Sequence, residues 1–159
     1  MPLEFATETQ AHTYDKVKDY LNKSNLFKDT MRTAADEPRF HLTYGSAHVD
    51  VEILDWEVHP WEERELTIVK AWSCVTIGSQ MSAELMEFLL NENHRMRFGA
   101  FQLGKQGEIF FAHSVLGGES MDLMELQTCI LSVVTIADTY DDLITQKFGG
   151  QRACDRPLD

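Results

Sequence analysis

The side chains that most often do chemistry are scattered through this sequence. Histidines stand at 12, 41, 48, 59, 94 and 113, and none forms an HxH, HExxH or Cys/His zinc spacing. His41 and His48 could meet only across neighbouring strands, which would supply two ligands and no more. His113 alternates with Phe111 and Val115, as a core or edge histidine does. Cysteines at 74, 129 and 154 make an odd number without a CxxC pair. Cys74 lies in a strand-like run and Cys129 in a helix-like run, where buried reduced thiols are expected. Asp138, Asp141 and Asp142 share one side of a helix, and clustered oxygens suit hard cations. A helix lacks the loop that wraps carboxylates around an ion, so the trio reads as a solvated face. Glu62 and Glu63 read as a solvent-facing loop. No GxSxG, P-loop or GxGxxG motif occurs. No catalytic residue, metal ligand set or cofactor is assigned on this basis.

Charge narrows the partners. Lys and Arg number 14 against 26 Asp and Glu, a net charge of −12 over 159 residues. Phosphate backbones and anionic membrane surfaces need clustered cations, so nucleic acid and membrane are excluded as expected partners. The first residues, MPLEFATETQAH, have neither a basic nor an apolar region of a secretory signal. The uncharged stretch 126–137 is broken by Gln127, Thr128, Ser132 and Thr135 and falls far short of the roughly 20 apolar residues a span requires. A cytoplasmic, reducing setting is expected.

The elements follow from periodicity. Tyr14, Val17, Tyr20 and Leu21 fall on one helical face and predict a helix over 13–22. Phe40, Leu42 and Tyr44 alternate with polar residues, as do Val49, Val51 and Ile53 after the Gly45-Ser46 turn. The apolar phase then moves to Leu54, Trp56 and Val58, which predicts a bulge near 54–55 or burial of both faces. Residues 66–77 are apolar on both parities and read as an interior strand. Ser82 caps a second helix whose face is Leu85, Phe88 and Leu89, ending near 93–97. Strands over 98–103 and 109–116 flank a Gly-Lys-Gln-Gly hairpin. Asp122 and Glu125 have capping-box spacing, and apolar residues recur at steps of three and four from Leu123 to Phe148 before Gly149-Gly150. The reading is one domain over 1–150 with a loose tail, 151–159.

The long helix carries the functional hint. Over residues 123–137 its apolar arc far exceeds the roughly 100° that one sheet covers. Leu131 and Val134 widen it on one side, Cys129 and Ile136 on the other, leaving Thr128, Ser132, Thr135 and Thr139 as an uncharged strip. Neighbouring helices of the same chain could cover the surplus, or a second subunit could, since a two-fold contact covers a self-complementary patch. Methionines 81, 86, 96, 121 and 124 gather in or beside the last two helices. They could be core filler, or the adaptable surface that varied peptides use.

The segment LMEFLLN (85–91), the hairpin FGAFQL (98–103) with GEIFFAHS (107–114), and the helical run ADTYDDL (137–143) resemble the YbjN family. The match is close over 82–145 and agrees only in element order before that. Chain length and the tryptophan-bearing strands resemble its cyanobacterial and plastid branch. The resemblance implies the fold of type III secretion chaperones: α+β, in the order αβββαββα, with an antiparallel five-stranded sheet and helices packed against it. It also implies a homodimer with no known catalytic site.

The resulting expectation is a non-enzymatic, dimeric, chaperone-like module that holds a protein partner. Met86, Leu90, Met121, Met124, Cys129, Leu131 and Ile136 are the candidate partner-binding or dimer surface. The alternatives are a regulatory or stress-related factor acting through its dimer surface, and an enzyme with an unrecognised active site.

Overall fold

The computed structural model describes residues 2–56 and 66–155. The loop carrying His59, Glu62 and Glu63 lies outside the described residues, as do the last four residues of the tail.

Helix α1, Glu8–Lys23, begins earlier than apolar spacing predicts, because Thr7 caps it by accepting a hydrogen bond from the Gln10 amide at 3.0 Å. Capping chemistry, which periodicity does not register, sets that boundary. A two-residue strand β1 (Arg32–Thr33) precedes β2 (Arg39–Tyr44), β3 (Ala47–Trp56) and β4 (Leu66–Ile77). Helix α2 (Ala83–Arg95) is capped by Ser82, whose side chain accepts from the Leu85 amide at 3.2 Å. Strands β5 (Ala100–Leu103) and β6 (Ile109–Leu116) form the hairpin. Helix α3, Leu123–Phe148, opens with the Asp122/Glu125 capping box complete in both directions and closes at Gly149, whose φ of 76° is open to glycine. Strand β7 (Gln151–Arg152) and a 3-10 turn at Ala153–Asp155 follow.

The strands form one antiparallel sheet in the order β1-β2-β3-β4-β6-β5, with β7 paired to β4. The sheet therefore has seven strands, where the resemblance implies five. The two additions are two-residue pairings, too short to show any alternation in sequence. One of them falls in the segment expected to be loose, where Gln151 and Arg152 pair with Ile77 and Thr76.

All three helices pack on the sheet face that carries Phe40, Val51, Ile53, Val69, Ala71 and Phe111, the buried core. Tyr14 of α1 stacks on Phe40 with centroids 4.7 Å apart, and Tyr140 of α3 packs on Phe101 at 5.2 Å. The opposite face carries Glu52, Leu54, Lys70, Trp72 and Phe110. The expected bulge near 54–55 is absent, since β3 and β4 stay in continuous register from Asp50↔Trp72 to Trp56↔Leu66. Leu54 instead stands exposed beside Ile68, with Leu116 next across β6. The register shift occurs in β4, between Cys74 and Thr76. No helix among the described residues is long and apolar enough to cross a membrane.

Candidate binding surface

The seven candidate residues separate into three groups. Met121 and Cys129 are core residues, 1% and 0% exposed, so neither offers surface to a partner. Cys129 sits where α3 crosses the sheet, its Sγ 3.6 Å from the His113 carbonyl and 3.9 Å from that of Val69. Helical spacing locates the apolar arc but not how much of it the sheet encloses, and here the sheet encloses Cys129. Burial pushes its thiol up to about 11. Met86 and Leu90, one turn apart on α2, are exposed, Leu90 at 68%. Met124, Leu131 and Ile136 come together on the outer side of α3.

That last group lines an open groove of about 580 Å³, walled on the other side by Met96 and Phe98 from the link between α2 and β5. Met124 is 70% exposed at one end and Phe98 is half-exposed opposite. Between the apolar walls run Thr128, Ser132 and Thr135. The Ser132 hydroxyl is taken up by the helix itself. Ser132 donates to the Cys129 carbonyl at 3.0 Å, and the Thr135 carbonyl accepts from Thr139 at 2.7 Å. Behind Phe98, the ring of His113 lies edge-on at 5.7 Å, and burial lowers its pKa, so the imidazole is neutral near pH 7. Among the described residues lining the groove, Arg97 is the one charged side chain. A largely apolar channel of this size, without a carboxylate in its lining among the described residues, is suited to apolar contact.

The titratable candidates do other things. Asp138 and Asp141 are not a solvated face. Asp138 accepts from the Ser46 backbone amide at 2.8 Å and its hydroxyl at 3.0 Å, and the same hydroxyl donates to Asp141. The two carboxylates latch the β2–β3 turn onto α3, and only Asp142 faces outward, towards Arg152. His41 and His48 do lie on neighbouring strands and the same face. His41 Nδ1 meets Asp50 at 2.7 Å, and His48 Nδ1 lies 3.4 Å from Thr43 Oγ1. Among the described residues, no three His, Cys, Asp or Glu side chains converge to hold a metal ion.

Several contributors were not singled out from sequence. Phe98 looks like a strand residue, yet it forms a groove wall. Asn93 reads as a helix end, yet its side chain holds the backbone of β5. Only contacts between distant segments reveal either role.

A family model described as T3SS (YopN, CesT) and YbjN peptide-binding chaperone 1 matches residues 15–156. No curated protein matches the chain.

Proposed function

Because the chain belongs to this family of T3SS and YbjN peptide-binding chaperones, we propose that it holds an extended, apolar polypeptide segment in the groove on α3, and that it does so without catalysing a reaction. The groove itself carries the reading. It runs from Met124 to Ile136, which at 1.5 Å per helical residue is about 18 Å. An extended segment of about five or six residues fills that length. Methionine walls adapt to varied side chains, which suits a binder of segments rather than of one ligand. The strip carries no charge, the Ser132 hydroxyl is bonded within α3, and Arg97 at the rim can meet an acidic flanking residue.

The surface left outside the groove is offered to a second copy. On α2, the 3.6-residue period puts Met86, Glu87, Leu90 and His94 on one face. A two-fold, antiparallel contact centred on Leu90 would bury the apolar pair against itself and bring Glu87 beside the partner's His94. The exposed apolar pair supports a homodimer and a protein partner held elsewhere on each subunit. A cytoplasmic site of action fits such a module.

Anisotropy titrations with fluorescent apolar segments test the binding reading. Wild type should bind, and Met124→Glu should weaken binding at least tenfold by placing a charge against the occupant. Equal binding by both proteins overturns it. For the dimer, sedimentation of Leu90→Glu should show half the wild-type mass, and an unchanged mass removes the α2 contact.

A further inference from the structure

Strand β5 ends the sheet on one side, and an edge strand normally presents unpaired backbone groups to any other extended chain. At the centre of β5 those groups are taken. Phe101 donates its backbone N–H to Asn93 Oδ1 at 2.6 Å, and Asn93 Nδ2 donates to the Phe101 carbonyl at 3.2 Å. A single side-chain amide thus makes both bonds that one residue of an added antiparallel strand would make.

Apart from the last turn of α2, which brings Asn93 alongside, the edge carries no further defence. The usual protections are a charge, a proline, a bulge or extreme shortness. At the opposite edge, β1 is two residues long and carries Arg32. Strand β5 reads AFQL, with no charge and no proline, its register with β6 is continuous, and Leu103 is exposed. Phe101 is buried, its ring 5.0 Å from Phe111, so the strand is anchored to β6 and the core. Asn93 is equally fixed. It lies in the last turn of α2, where its carbonyl accepts from the Met96 amide, and the neighbouring Glu92 is bound to Tyr140.

We propose that Asn93 is an edge plug: its amide stands in for a neighbouring strand and keeps β5 from pairing with β5 of a second copy of this chain. The geometry selects a second copy as the excluded occupant. Antiparallel pairing of β5 with itself about Phe101 is a closed two-fold contact that would join two sheets into one. The plug also steers an extended partner away from the sheet edge and leaves the helical surface as the place to bind.

The test uses full-length Asn93→Ala and Asn93→Asp, with hydrogen exchange at the Phe101 amide and sedimentation velocity over a concentration series. Asn93→Asp keeps an acceptor for the Phe101 N–H but sets a carboxylate against its carbonyl. In Asn93→Ala kept dilute enough to be monomeric, Phe101 exchange should rise at least tenfold while the β3–β4 ladder is unchanged. Asn93→Ala should form species heavier than wild type as concentration rises, whereas Asn93→Asp, whose carboxylate puts a charge on the edge, should keep the wild-type mass. Adding Leu103→Lys, an edge charge, to Asn93→Ala should return the mass to the wild-type value without restoring Phe101 protection, so a folding defect peculiar to alanine does not decide the matter. Wild-type mass in Asn93→Ala at every concentration overturns the proposal. So does unaltered Phe101 exchange in the dilute, monomeric Asn93→Ala, or extra mass that appears only when a separate peptide is added.

Discussion

The phenol of Tyr140 donates a 2.6 Å hydrogen bond to Glu92 Oε2 and so joins the middle of α3 to the C-terminal turn of α2. Glu92 lies one turn before Met96, where the segment Met96–Arg97–Phe98 that walls the groove begins. The phenol is pushed up to about 12, first by burial and then by the bond and charge of Glu92. Folding thus favours the protonated phenol over its ordinary value of 10.0. The stabilisation is whole below that value and is lost as pH rises towards the folded one. Tyr140→Phe should cost about 1 kcal/mol at neutral pH. Urea titrations should show the gap between wild type and variant narrowing above pH 10, and a gap that widens there contradicts the assignment.

Ser46 bridges Asp138 and Asp141, and the Asp141 carboxylate is almost wholly buried. In Ser46→Ala, among the described residues Asp141 keeps only the Asp142 amide, at 2.7 Å. A buried charged acceptor losing a partner should cost about 1–3 kcal/mol in chemical denaturation.

Gly45 tests the same latch from the backbone side. Its φ is +56°, and an added Cβ would lie 2.3 Å from Asp138 Oδ1. Gly45→Ala should be destabilising, and combining it with Asp138→Ala should recover part of the loss by removing the clash but not the backbone strain. Additive losses in the double variant contradict the contact.

The three thiols should differ in reactivity. Cys129 is buried with its thiol raised to about 11, whereas Cys74 and Cys154 are partly accessible. Mass spectrometry after alkylation of the native protein should find Cys154 labelled and Cys129 intact until the chain is unfolded. Early labelling of Cys129 would contradict its place in the core.

Much of this architecture is legible in residue order. Asp122 with Glu125 and Gly149 mark both ends of α3, and Ser82 marks the start of α2, because caps are local chemistry. The alternation in 47–53 reports a half-buried strand correctly. What fails is whatever depends on distant partners. Leu54 breaks the alternation without a bulge, simply because the outer sheet face tolerates an apolar residue beside Ile68. Met121 and Cys129 have the right type for a binding surface, but the depth at which α3 lies on β4 and β6 puts Cys129 inside. Asp138 and Asp141 look solvated until the Gly45-Ser46 turn, over ninety positions earlier, arrives beneath them. The groove combines α3 with a link that reads as a strand entry, so no window of sequence contains it.

The groove assignment is tested most directly by methyl chemical-shift mapping of the protein titrated with an apolar segment that it binds. The methyls of Met96, Met124, Leu131 and Ile136 should shift together and saturate at one affinity. Shifts confined to residues around Trp72 and Phe110 on the opposite sheet face, with those four methyls unmoved, would contradict the account.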